Sequence, residues 1–470
     1  MKTRNKIKRA LVPIMLCLVL ALTLWAPAQA ASAADYQKAL KLTLNNILDT
    51  VTNPASNSTE GEWAVLALAR GGVENDAWYG KYMDSVIAKV IECNGVLSSK
   101  QYTEYSRVII GLSSIRQNAS ALNTGSKVYD LVSPLMNKQD NGEYWASWQG
   151  NNGTIFAIIA LDTQNYLNNN AGNTTRKGLL DTLLTAQLSS GAWEISKGSG
   201  ADIDTTAMAL QALAPYYLSQ SKYTVLGAAH TYAQLQSSVT NALNYLNTRK
   251  NGDYGSVEAA AQVVVALAAL NRDAASDALL GDALGSVLSY YNGSGGFVHD
   301  HNGSSANQQM STEQGAYALV AYERWKNGKT SLYNMTDRPA ASSISFSGPT
   351  AATVTQTASG KFTVTCQKPC VVVIEKADGT YACLTPEGSG DTRTFHTVHG
   401  SVTVLIRGDA TGDGRFNLSD VIFAKAVFMK KTSMDSLHLM AADTNKDLKF
   451  NLSDVIRAKA AFLGKTDLNW

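Results

Sequence analysis

The chain of 470 residues has five cysteines, six histidines, nine prolines and few charges (17% Asp, Glu, Lys and Arg). It also has one long apolar run, Ala10 to Ala26. Each scarcity excludes something. Cys17 falls inside the run, and Cys93, Cys366, Cys370 and Cys383 are too scattered for a disulfide framework. A Cys366–Cys370 bridge is conceivable, though nothing in the sequence requires it. Stability must therefore come from burial and metal. No zinc ligand set surrounds Cys93, and His299-x-His301 supplies two metal ligands without a third.

The apolar run follows Lys2, Arg4, Lys6, Lys8 and Arg9 and precedes Ala28-Gln29-Ala30. Short, interrupted by Pro13 and ending in an Ala-x-Ala pattern, it predicts a secretory signal over residues 1–30 and not a membrane anchor. The expectation is a secreted, extracellular protein with no membrane association after cleavage, held in a cell-surface complex. Loss of the five bases takes the formal charge from +2 to −3, which argues against a nucleic-acid partner.

What the sequence does have is repetition. Apolar helical stretches recur about every fifty residues over 35–335: Glu62 to Arg70, Glu104 to Leu112, Thr154 to Leu161, Thr205 to Leu213, Val257 to Leu270 and Thr312 to Trp325. Each is expected to follow another helical stretch and a Gly-plus-aromatic turn, as in Leu183-x3-Gln187-x3-Gly191-x-Trp193. Six hairpins in series predict an open solenoid or a ring. The Gln187 phrase, followed by Asp202-Ile203-Asp204-Thr205-Thr206-Ala207-Met208-Ala209-Leu210, resembles the prenyltransferase and squalene-cyclase repeat superfamily, and Asp204 to Leu210 is also similar to the helical domain of cobalamin carriers. The resemblance implies a closed α6/α6 toroid.

A Pro-, Ser- and Ala-rich connector (336–349) predicts a boundary. Beyond it, β-branched runs at Lys361 to Cys366, Cys370 to Ala377, Thr380 to Thr385, Thr392 to Val398 and Ser401 to Arg407 predict a small antiparallel β domain over 350–407. With no cluster of histidines or acids, it reads as a spacer or simple binding module.

The final segment, 408–467, holds a duplicated acidic loop. Asp409, Thr411, Asp413, Asn417 and Asp420, and again Asp443, Asn445, Asp447, Asn451 and Asp454, stand at positions 1, 3, 5, 9 and 12 of twelve-residue loops. That spacing wraps side-chain oxygens around one point, with the position-7 carbonyls of Arg415 and Lys449 adding one each, as calcium requires with its six to eight oxygens at about 2.3–2.6 Å. Thr411 is a weak neutral oxygen. Leu448 stands where Gly normally takes a left-handed conformation, at a cost of about 1–2 kcal/mol. Both sites are expected to bind more weakly than an ideal loop.

Phe-Asn-Leu-Ser-Asp-Val-Ile recurs identically at 416–422 and 450–456, each opening a helix. The arrangement resembles a type I dockerin. That implies two calcium ions and a cohesin partner contacted through Leu418, Ser419 and Lys425 or through Leu452, Ser453 and Lys459, on two interchangeable faces. The whole reads as a multidomain, mainly α protein: toroid, β domain, dockerin.

Aligning the repeats puts Glu62, Glu104, Asp204 and Glu313 at one equivalent position near the inner-helix starts. Carboxylates there also simply favour the helix dipole. Trp145, Trp148, Asp202, His299, Asp300 and His301 are expected around the same mouth, so Trp145, Trp148, Asp202, Asp204, His299, His301 and Glu313 are the candidate ligand contacts. Three function classes fit. Capture of a glycan, corrinoid or other small molecule leads, in keeping with the absence of a complete catalytic constellation. A polysaccharide hydrolase or lyase using Asp204 and Glu313 as acid and base follows. Terpenoid cyclisation is weakened because Thr205 stands where the resembled family has a further Asp.

Overall fold

The computed structural model describes residues 29–302, 308–341 and 343–470. Most of the expected export signal lies outside the described residues. The described chain is mainly helical with small sheets, and no described helix is long and apolar enough to cross a membrane.

Helix α1 (Gln29–Thr50) leads into α2 (Glu62–Arg70), α3 (Asp76–Glu92) into α4 (Thr103–Ser114), and α5 (Gly150–Thr163) follows. Then α6 (Asn170–Thr185) leads into α7 (Ile203–Tyr217). After the short α8 (Gln220–Thr224), α9 (Tyr232–Asn247) leads into α10 (Val257–Ala269), and α11 (Ala283–Ser289) into α12 (Gln308–Lys326). Helix α10 shows why α2, α4, α5, α7, α10 and α12 lie inside. Its sequence VEAAAQVVVALAA is apolar on every side and must be covered all round. Ser256 starts it by accepting from Ala259 N at 3.2 Å. Contacts between inner helices run α2, α4, α5, α7, α10, α12 and back to α2, so the series closes.

The Gln187 phrase is a staple. Gln187 Nε2 donates to the carbonyls of Gly191 (2.8 Å) and Ser238 (2.9 Å), while Ser238 Oγ donates back to Gln187 Oε1. Gly191 has φ +87°, and a Cβ there would sit 2.5 Å from the Asn241 carbonyl. Trp193 is fully buried, with Nε1 donating to Leu183 O at 2.7 Å. Its backbone N donates to Thr206 Oγ1 at 3.0 Å, and Phe297 repeats that bond with Thr312 at 3.0 Å.

One hairpin departs from expectation. The segment before α5 has no outer helix, but 3₁₀ turns at Ala119–Ala121, Ser133–Met136 and Trp145–Gln149 and a ladder of β1 (Leu122–Asn123) with β2 (Val128–Tyr129). Gly125, Pro134 and Gly142 break the helical pattern there, and Asp130 instead accepts from Val132 N and Ser133 N in a local turn.

The connector also differs. Asp337 pairs with Arg70 (2.9 Å) and Arg324 (2.7 Å), pinning it to the ring. Within the expected linker lies β3 (Ser345–Ser347), followed by β4 (Ala352–Ala358), β5 (Lys361–Cys366), β6 (Cys370–Glu375), β7 (Tyr381–Cys383), β8 (Thr392–His396) and β9 (Ser401–Ile406). They form two sheets, β3-β9-β6-β7 and β4-β5-β8. The pairing of β3 with β9 is parallel, so the β domain is not wholly antiparallel. Phe362, Val364, Val372, Phe395 and Val404 fill the space between the sheets, and the four described cysteines are free. The domain sits on α3, where Asp84 takes Lys361 Nζ at 2.9 Å and His396 Nε2 at 3.2 Å. Asp76 accepts from Val398 N at 2.7 Å.

Three helices close the chain: α13 (Leu418–Phe428), α14 (Ser436–Ala442) and α15 (Leu452–Phe462). Helices α13 and α15 pack together, and α14 rests on β6, β7 and β9.

Candidate functional site

The two acidic loops have matching backbones. Asp409 accepts from the amides of Gly412 (2.7 Å), Asp413 (3.2 Å) and Gly414 (2.8 Å). Asp443 accepts from those of Lys446 (2.8 Å), Asp447 (3.2 Å) and Leu448 (2.9 Å). The last residue of each loop folds back: Asp420 accepts from Thr411 N and Asn417 N, and Asp454 from Asn445 N and Asn451 N. Leu448 takes the expected left-handed conformation, with φ +61°.

All four anchoring carboxylates, Asp409, Asp420, Asp443 and Asp454, are buried. Burial pushes the Asp409 and Asp443 carboxyls up from their ordinary value, and neighbouring carboxylates add to the push. Ligand oxygens of Asp443, Asp447 and Asp454 lie within 4.8 Å of one another, the one such cluster among the described residues. The first loop is less gathered. There the Thr411 hydroxyl donates to Asp420 Oδ1 at 2.7 Å and lies 3.4 Å from Asp409 Oδ1, meeting with its own proton the charge a cation would meet. Buried anions with oxygen neighbours and no basic partner suit a hard cation.

Outside the loops, the expected partner faces are exposed and nearly equal. Leu418 and Leu452 are each 48% exposed, beside exposed Ser419, Lys425, Ser453 and Lys459. Ile422 and Ile456, 60% and 59% exposed, extend the same faces. The sequence reading missed both, although each lies one helical turn beyond its leucine.

The inner helices run parallel, since residues between the start and the middle of each converge on one cavity. It measures about 230 Å³ and takes a residue from each: Trp63, Arg107, Phe156, Met208, Gln262 and Tyr317. Trp63 faces Phe156 at 5.6 Å and Tyr317 at 6.1 Å. Gln262 Nε2 donates to Tyr317 Oη at 2.6 Å and Gln314 Oε1 at 2.9 Å. All six lie within the repeated helical stretches, and none is among the sequence candidates.

The aligned carboxylates gather at this end but divide into groups. Glu62, fully buried, pairs with Arg107 at 2.8 Å, and Glu104 pairs with Lys89 at 2.9 Å, so both serve ion pairs. Glu313 is fully buried, accepts on Oε1 from Glu60 N (2.8 Å) and Gln309 Nε2 (2.9 Å), and leaves Oε2 without a hydrogen bond. Burial raises its carboxyl to about 7, with Glu60 and Glu62 adding repulsion. Asp204 is raised to about 7 by burial and by the charges of Asp202 and Glu258. Asp204 thus has Asp202 and Glu258 as acidic neighbours, and Glu313 has Glu60 and Glu62.

Glu258, missed in sequence, occupies in α10 the position of Asp204 in α7. Its Oε2 lies 2.7 Å from His299 Nδ1 and its Oε1 accepts from Ser311 Oγ at 2.5 Å. A carboxylate can only accept, so Nδ1 carries the proton and Nε2 is the basic nitrogen. A carboxyl protonated near neutral pH and an oriented imidazole together suit proton transfer. The other candidates are divided. Asp202 is the cap of α7, accepting from Thr205 N at 2.8 Å and Thr205 Oγ1 at 2.6 Å. His301 stacks on Tyr290 at 4.2 Å, with Nε2 3.3 Å from Ser289 Oγ. Trp145 stacks on Tyr102 (6.3 Å) and touches half-exposed Trp148 (5.9 Å), an aromatic shelf beside the Thr103 that lines the cavity.

No known family model matches the chain, and no curated protein matches it significantly.

Proposed function

We propose that this is an exported protein carried on a cohesin-bearing scaffold by a calcium-dependent dockerin, and that its helical ring, an α/α toroid, captures a glycan where the inner helices begin. The duplicated loop, with four buried carboxylates gathered at matching ligand positions, carries the docking half of this reading. Asp443, Asn445, Asp447, Asn451 and Asp454 would hold one calcium with the Lys449 carbonyl; Asp409, Thr411, Asp413, Asn417 and Asp420 would hold another with that of Arg415. The ion supplies the positive charge that lets these carboxylates stay ionised while buried, and so sets the directions of α13 and α15.

For the ring, size and lining favour a sugar. A cavity of about 230 Å³ is below the roughly 300–1,000 Å³ that encloses drug-sized ligands, too small for a corrinoid or a folded isoprenoid chain. Its tryptophan, tyrosine, arginine and amides match the stacking faces and hydroxyls of a sugar ring. Titration of the full chain with a cohesin, in calcium and in chelator, tests docking: binding that persists in chelator would overturn it. A glycan array tests capture, and silence across it would overturn that half alone.

The acid and base groups favour a second reading, a polysaccharide hydrolase or lyase, with Asp204 donating a proton and His299, oriented by Glu258, accepting one. Product release from an array hit, lost in Asp204→Asn and His299→Ala but not in Glu313→Gln, would select this reading. Saturable binding without product would select capture.

A further inference from the structure

The ring has a second cavity at the opposite end, which neither docking nor capture at the mouth uses. It measures about 410 Å³ and lies where α5, α7 and α10 end, roofed by residues 328–336 after α12. That volume lies within the range typical of small-molecule sites, about 300–1,000 Å³. The lining differs from a gap left by imperfect packing, which would be apolar and dry.

One wall is aromatic. Trp325, half-buried, is held by Nε1 donating to Asn271 Oδ1 at 3.0 Å and by stacking on Tyr322 at 5.7 Å, so its orientation is set in advance. Around it stand the amides of Asn165, Gln211, Asn271 and Asn334, each able to donate and accept at once. Gln211 is 4% exposed, and its Oε1 has no hydrogen-bond partner although Nε2 is bonded to Gln262. A buried acceptor left unpaired is destabilising, and a ligand's hydroxyl would satisfy it. The charge is unbalanced too. The lining holds two lysines, Lys222 and Lys329, against one carboxylate, Asp162, which pairs with Lys222 at 3.3 Å and also accepts from Arg176 at 2.8 Å, so Lys329 is the cation left over.

An aromatic face, paired amides and an excess of positive charge together describe one ligand chemistry. We propose that this cavity binds a saccharide of one or two rings bearing a carboxylate, its ring on Trp325, its hydroxyls on the amides and its carboxylate toward Lys222 and Lys329. The site is separate from the mouth and does not depend on the function proposed for it.

Isothermal titration of the full chain with digalacturonate, and with glucose and cellobiose as neutral probes, tests this. One digalacturonate is expected per chain, with the neutral sugars at least about tenfold weaker, as a charge-assisted contact implies. Lys329→Ala, at an exposed position, should weaken digalacturonate about tenfold. Trp325→Ala should abolish binding with the melting curve retained; if that variant melts early, Trp325→Leu serves in its place. No binding of digalacturonate would overturn the proposal. So would equal binding of cellobiose with Lys329→Ala silent, or binding lost in Trp63→Ala and untouched in the Trp325 variants, which would put the ligand at the mouth.

Discussion

Arg407 Nη1 donates to the backbone carbonyl of Asp443 at 2.7 Å, so the first residue of the second acidic loop is held by the end of the β domain. Beside it, Gly408 N donates to Ala441 O at 2.8 Å. Arg407→Ala leaves the buried carbonyl unpaired, at a cost of about 1–3 kcal/mol. Calcium titration followed by helical signal should show the second site weakened and the first little changed.

Leu448 is 74% exposed at φ +61°, so its side chain gains little from packing while its backbone is strained. Leu448→Gly should tighten calcium at the second loop by about 1 kcal/mol, close to fivefold. Competition with a chromophoric chelator measures this, and unchanged affinity would mean the strain is relieved elsewhere.

Burial raises Asp204 from 3.8 to about 7, so folding favours its protonated form. The stability this group contributes is fully present below pH 3.8 and is lost as pH rises through about 7. Asp204→Asn should therefore gain most over the parent at pH 8, and clearly less at pH 5, where only the first part of the loss has occurred. Calorimetry at the two values decides it; equal gains at both would mean the carboxyl is not titrating there.

Gln187→Ala removes two donated bonds and one accepted bond between α6, the Gly191 turn and α9. Thermal unfolding should show a loss of about 1–3 kcal/mol. Trp193→Ala, which empties a fully buried site, should cost about 3–5 kcal/mol.

These elements differed in how plainly they could be read. The inner helices were legible because their apolar surfaces admit only a buried place, and the acidic loops because ligand spacing is a local property of the chain. Strand β4 was not: Ala352–Ala358 alternates threonine with small or polar residues, and it is the partner strand β5 that makes it a strand. The parallel β3 was hidden for the same reason, since its partner lies over fifty residues away. At the mouth, Asp204 and Glu313 were visible as aligned acids. Their neighbours were not, because these come from Glu258, Glu60 and the loop carrying His299. Trp63, Gln262 and Tyr317 sit at positions that look like core until the ring closes around them.

Asp337 is clamped on the ring between Arg70 and Arg324, Asp84 and Asp76 hold the β domain against α3, and Arg407 ties that domain to the second acidic loop. On the docking proposed above, exchanging one face for the other would swing the ring about the scaffold, presenting its two ends to different neighbours.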